Sequence, residues 1–281
     1  MQKKWRAAFF VWFLFSTVVF SQQEPDSLCV KPVNRAILLG IGHASLTDTY
    51  LSPLEYNGMV WSLLYDQLNG SRFFNGKLLS QHRFQVDIAS TRNPAETSSE
   101  YSGMISYGIT GFYPITQTSK LKVFGGPGWD IGIGGIYNIR NSNNPGSLKL
   151  STNLNLSALA LYNWKKFTFR WQLETPFAGL FFSPDYGQSY YEIFSLGNDD
   201  GTVVWGSFHN QLGLRNYFTV DYPVGDFTIR TGYLGNYYRT NVNNLTSKTV
   251  SHQLMLGFAM ESLNFGGKKI KEHSWLKSVY Y

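Results

Sequence analysis

The chain is short of cysteine and short of charge. Cys29 is its only cysteine, so no disulfide can form within it, and a disulfide-stapled secreted miniprotein is excluded. Asp, Glu, Lys and Arg make up 15% of 281 residues, against about 25% in an ordinary soluble domain. Long apolar runs are missing too, apart from one at the start. Lys3, Lys4 and Arg6 precede an almost unbroken apolar stretch from Ala7 to Phe20, with small residues at Ser21 before Gln22. That pattern predicts a cleaved secretory signal peptide over 1–21; a spanning helix needs about 20 apolar residues. Cys29 lies beyond the polar segment Gln22–Ser27, which places it badly for a lipid anchor.

Strong basicity is lacking as well. The formal charge is +6, and the three leader cations account for half of it, leaving +3. A surface so nearly balanced does not point to nucleic acid. The five histidines (43, 82, 209, 252 and 273) show no paired spacing for zinc, and the acids Asp185, Glu192, Asp199 and Asp200 match no calcium loop, so neither a metal nor another cofactor is expected.

What the chain does have is aromatics, 17% of its residues, and 27 glycines. It also has alternation. Phe167, Phe169, Trp171 and Leu173 interleave with Thr168, Arg170, Gln172 and Glu174. On a strand, successive side chains point to opposite faces, so one face is greasy and the other wet. The same period of two recurs in about ten segments, starting near residues 36, 57, 80, 101, 120, 148, 166, 203, 226 and 248. Each is long enough to cross a membrane as a tilted strand, for which about 9–11 residues suffice.

Tight turns, as at Asn163–Lys166 and Asp221–Asp226, alternate with longer polar links at 45–56, 92–100, 141–147, 183–202 and 241–248. Charge is nearly absent from the apolar parity, and aromatics gather at segment ends. The expectation is all-β: one antiparallel transmembrane β-barrel over 36–281, after a periplasmic segment at 22–35. Ten strands are expected, with twelve the alternative. Outer-membrane lipid is then the partner of the greasy face. Gly125-Gly126-Pro127-Gly128 interrupts one strand and predicts a bend or bulge, or a place where neighbours come close.

Val279-Tyr280-Tyr281 resembles the terminal assembly signal of bacterial outer-membrane barrels, which implies handling by the barrel assembly machinery. The whole chain resembles small outer-membrane barrels of unknown function from Bacteroidetes-type bacteria, most of all over Asp48–Gly58. That resemblance implies a Gram-negative outer-membrane location and no known activity.

Two sets of residues are candidates for function. Arg83, Asp87, Asp130, Arg170, Glu174, Arg215 and Arg230 fall on the wet parity and predict a charge network in the lumen, or the lining of a narrow selective channel. His43, Ser45 and Asn57 fall on the greasy parity of the first two strands. They resemble the His-x-Ser motif, with an Asn about twelve residues on, of outer-membrane phospholipases and lipid A deacylases. The resemblance implies a lipid hydrolase with those residues as base, nucleophile and orienting amide; Glu55, assigned to the opposite face, is the lesser candidate. A structural, binding or small-solute role without catalysis is the leading expectation. The aromatic stretch Tyr186–Phe194 is a candidate for stacking on a glycan or partner, or for a short hairpin.

Overall fold

The computed structural model describes residues 32–70, 78–142, 144–225 and 227–263. The expected signal peptide, Cys29, His273 and the terminal Val279-Tyr280-Tyr281 lie outside them. The strands are β1 (Pro32–Asp48), β2 (Ser52–Gly70), β3 (Leu79–Arg92), β4 (Ser99–Gln117), β5 (Leu121–Asn138), β6 (Gly146–Trp164), β7 (Phe167–Phe182), β8 (Val203–Ser207), β9 (Gln211–Val224), β10 (Phe227–Val242) and β11 (Leu245–Leu263). One short helix, α1 (Tyr190–Phe194), sits in the connection from β7 to β8.

Each strand pairs antiparallel with the next, except that β8 and β9 both pair with β7, and β11 closes onto β1 along its whole length, from Val33–Ser262 to Asp48–Ser247. The cylinder has ten staves rather than eleven. β8 pairs with the upper part of β7 (Ala178–Phe182) and β9 with the lower part (Thr168–Glu174), so β8 and β9 are one stave broken at Phe208–Asn210. The break faces a bulge in β7, where Leu154 pairs with Ala178 but Asn155 with Pro176, leaving Phe177 over. An extra residue flips the side chains beyond it. Below the bulge the even residues Arg170, Gln172 and Glu174 point inward, and above it Phe181 does.

The greasy parity faces out. Leu39 is 67% exposed, Ile88 58%, Trp171 51% and Leu254 71%. In a sandwich these would be the core, near zero. A contiguous apolar band of this size is stable only against hydrocarbon. Among the described residues, no helix is long and apolar enough to cross a membrane.

Several expected loops are strand. The link expected at 45–56 shrinks to the turn Thr49–Leu51, and the one at 241–248 to Asn243 and Asn244, with φ of 53° and 56°. Two successive residues at positive φ match the right-handed twist of a hairpin, and Asn tolerates that region. Turn-forming composition misled here because the staves run on past the membrane. At about 3.3 Å per residue and a tilt near 40°, 18 residues rise about 45 Å, against an apolar band of about 25 Å. A strand projecting into water is polar on both faces and reads as loop. Asp221 likewise lies in β9, not in the turn after it.

The glycine-rich stretch lies within β5. A Cβ on Gly126 would sit 1.8 Å from the Gly111 carbonyl oxygen, so only glycine lets β4 approach there. The β4–β5 ladder passes from Thr110–Gly128 to Tyr113–Gly125 without pairing Pro127, and the bulge in this hairpin falls at Pro114–Thr116.

Candidate functional site

Apolar clusters and charge pairs fill the lower lumen together, toward the end where β1 starts and β11 finishes. Leu68, Leu79, Phe112, Phe124, Leu159 and Leu161 form one cluster on the β2–β6 side; a second, around Leu38, Leu64, Leu234 and Met255, stands farther from that end than Asp66 and Arg230 do on the same strands. Leu79 and Phe112 are directly opposed on β3 and β4. The sequence carries a mark of this plug: in Ala158-Leu159-Ala160-Leu161 the alternation stops, because both parities turn apolar.

An ionic deck runs beside this plug, its Arg230–Asp221 pair as near the lower end as Phe112 and Leu159. Arg83 donates to both oxygens of Glu174, at 2.8 and 2.9 Å. Arg230 donates to both oxygens of Asp221, at 2.8 and 2.7 Å, and to Asn34 Oδ1 at 3.1 Å. Arg170 bonds Asp66, and Arg230 Nη1 lies 3.6 Å from the same carboxylate. Gln81 and Gln172 exchange amide bonds at 3.1 and 2.8 Å. Arg170 and Arg215 both stack on Tyr217, at 5.2 and 5.1 Å from its ring centroid. Buried cations and carboxylates are sustained only by such paired, multiply bonded geometry.

Of the residues singled out in sequence, Arg83 and Glu174 meet directly, and Arg170 and Arg230 converge on Asp66. Asp87, Asp130 and Arg215 stand higher and form no ion pair among the described residues. Asp87 accepts from Ser62 and from Gln85, and Asp130 from Asn153 and Asn155. Sequence reasoning passed over Asp66, Asp221 and Asn34. Parity would have found Asp66, which shares the inward side with Ser62 and Leu64; Asp221 was hidden by its position near a turn.

Above the deck is a chamber of about 270 Å³. Arg83, Gln85, Asp87, Asp130 and Arg215 are at its base, and Tyr50, Lys149, Phe182 and Pro184 stand toward its mouth. Lys149 pairs with Asp48 at 2.7 Å on the upper wall. The β7–β8 connection folds against this end. Ser189 and Glu192 form a reciprocal capping box that starts α1. Tyr50 donates to the Gln188 carbonyl at 2.8 Å, the Leu148 amide donates to the Tyr190 hydroxyl at 2.6 Å, and Asn243 donates to the Ser183 carbonyl at 3.0 Å.

Tyr190 and Phe194 stack with Phe182 rather than standing free, and the stretch is a helix rather than a hairpin; Tyr186 and Tyr191 are exposed. Burial, then the neighbouring Tyr190, Asp48 and Glu192, push the Tyr50 phenol up to about 12. Burial raises Tyr190 as well. The Glu192 carboxyl is held below its usual range by the Ser189 backbone N–H, then by the Ser189 hydroxyl.

On the outer surface, Ser45 and Asn57 are directly opposed across β1 and β2, and His43 lies two residues from Ser45 on the same face. The three share a face but no hydrogen bond links the serine to the ring; Ser45 and Asn57 lie instead beside the Glu55 carboxylate. His43 stands between Met59 and His252, whose own Nδ1 meets Tyr233 Oη at 2.6 Å. Glu55, expected on the opposite face from Asn57, shares its face, since the two are two residues apart on one strand. Glu55 accepts from Lys248 Nζ at 2.8 Å.

A family model described as "Protein of unknown function (DUF3316)" matches residues 8–269. No curated protein matches the chain. Among solved structures, the chain is similar to the transport unit of the autotransporter AIDA-I from Escherichia coli. That match has 10% identity and a TM-score of 0.45, over 89% of this chain and 92% of that one. It is similar to the beta domain of the Bordetella autotransporter BrkA at 9% identity and TM-score 0.40, over 82% and 99%. It is also similar to the TodX monoaromatic hydrocarbon channel at 7% identity and TM-score 0.30, over 82% and 90%.

Proposed function

We propose, for a chain that belongs to the DUF3316 family of proteins of unknown function, a bacterial outer-membrane barrel that holds a small solute in a blind chamber open to the outside. The observation that carries this reading is that the lower lumen is filled and the upper lumen is not. Side chains fill a ten-stranded barrel readily, and here charge pairs and apolar clusters together fill its lower half. A solute entering from the loop end meets a polar space, then the Arg83–Glu174 pair, then a floor of Arg230–Asp221 beside Phe112 and Leu159. Passage would require separating buried ion pairs and wetting an apolar plug, each costing several kcal/mol.

The apolar outer band supports the membrane location. The even stave count leaves β1 and β11 starting and finishing at one end, which supports a periplasmic plug and an outward chamber. This favours binding over conduction, and nothing at Ser45 favours hydrolysis over either.

The test is conductance of the purified barrel in planar bilayers, with heat-shifted mobility in SDS gels as the check of folding. The expected result is a folded, inserted protein with no steady current. A sustained ohmic current from the wild-type chain, shifted by changing Arg170 or Arg230, would overturn the reading in favour of a channel.

A further inference from the structure

The base of the chamber carries charges that the deck beneath does not neutralise. Arg215 stacks on Tyr217 and makes one long hydrogen bond, 3.5 Å, to Gln85 Oε1. Its Nε and Nη1 are buried without a hydrogen-bond partner among the described residues. A buried donor of this kind carries the full cost of lost hydration, more so when charged, so it needs an acceptor. Gln85 turns its amide the other way and donates to both oxygens of Asp87, at 2.9 and 2.8 Å.

One side-chain amide therefore separates a cation with no carboxylate in hydrogen-bond contact from a carboxylate with no cation in contact. Asp130, near Arg83, also takes its hydrogen bonds from neutral amides, those of Asn153 and Asn155. Arg215, Gln85, Asp87 and Asp130 all line the chamber.

Resting on the blind-chamber reading, we propose that the ligand is a small zwitterion, with its anionic group on Arg215 and its ammonium group on Asp87. A simple anion would satisfy Arg215 while adding negative charge beside Asp87 and Asp130. A simple cation would satisfy a carboxylate and leave the Arg215 N–H groups without acceptors. A molecule carrying both signs answers both needs, and the Gln85 amide already bridges the gap it would span. The volume of about 270 Å³ equals about nine waters at about 30 Å³ each, enough for an amino-acid-sized solute and a few waters.

The experiment is isothermal titration of the folded barrel in detergent with γ-aminobutyrate, butyrate, butylammonium and butyramide. The zwitterion is expected to bind at least about tenfold more tightly than any of the other three, one well-placed charge-assisted bond being enough for that ratio. Arg215→Gln should erase its advantage over butylammonium, and Asp87→Asn its advantage over butyrate. Arg215→Lys, which keeps the charge and loses the fork, should retain part of the preference and serves if the Gln variant fails to fold. Equal binding of butyrate and γ-aminobutyrate, unchanged in Asp87→Asn, would overturn the proposal in favour of an anion site. Heat from none of the four solutes would also overturn it. A silent titration alongside a non-conducting barrel removes the ligand class alone; a conducting barrel removes the blind chamber itself.

Discussion

Arg83 on β3 reaches across the lumen to Glu174 on β7 and donates to both of its oxygens, at 2.8 and 2.9 Å. The strands between them, β4, β5 and β6, do not neighbour both, so this pair is a strut through the interior rather than a cross-strand contact. Both side chains are at most 7% exposed.

A strut of that kind predicts an asymmetric mutational response. Glu174→Gln leaves the Arg83 guanidinium buried beside Arg215 without its carboxylate, and should lower stability by about 3–5 kcal/mol. Replacing both partners with apolar residues of similar volume should recover most of the loss. Denaturant unfolding of the detergent-folded barrel reads both; a loss under about 1 kcal/mol in the single variant would show that water already reaches the pair.

The outward band makes a positional prediction. Leu39→Arg, in the middle of β1 and facing out, should cost about 2–4 kcal/mol in lipid, whereas Tyr101→Arg, facing out near the outer end of β4, should cost about 0–1. The measurement is unfolding from lipid vesicles. Equal effects at the two positions would mean that the hydrocarbon does not sit where the greasy parity puts it.

The loop end should loosen in alkali. The Tyr50 phenol titrates at about 12 in the folded chain against an ordinary value near 10. The folded state therefore holds this proton longer than the unfolded one. The stabilisation is complete below pH ~10 and is lost as pH rises through about 12. Amide exchange in the Ser183–Thr202 connection should accelerate across that window, and Tyr50→Phe, which removes the bond to the Gln188 carbonyl, should already be fast below it. A connection whose exchange is unchanged in Tyr50→Phe would show that this bond does not hold it.

Ser45→Ala removes a hydroxyl that lies beside the Glu55 carboxylate and makes no bond to the His43 ring. The variant should stay within about 1 kcal/mol of the wild type. Phospholipid and lipid A substrates should be released by neither protein above the uncatalysed rate. Acyl release by the wild type that Ser45→Ala abolishes would reinstate the hydrolase.

The alternation of Phe167, Phe169, Trp171 and Leu173 with polar neighbours was enough to give the class, the stave count and the inward side of regular strand segments, though not beyond the Phe177 bulge or at Glu55, because a period of two is a local property of extended backbone. It also sorted Arg83, Arg170, Glu174, Arg215 and Arg230 to the inside. Where both parities change character together, alternation loses its meaning. That happens in the apolar plug at Leu159 and Leu161, and in the water-borne hairpins at Thr49–Leu51 and Asn243–Asn244, which read as loops.

Which inward residue meets which was not legible. Arg83 and Glu174 are 91 residues apart, and Arg170 and Asp66 are 104 apart. Their meeting depends on the barrel's diameter, its stagger and the Phe177 bulge, none of which any single strand encodes. By itself the sequence determined a closed ribbon, greasy outside and wet inside. Only the closed tertiary structure decided that the wet side is stoppered below by hydrocarbon and ion pairs, and that Arg215 and Asp87 are left facing an open space above. The physical reason is that pairing across a lumen is a matter of three-dimensional register, whereas facing it is a matter of parity.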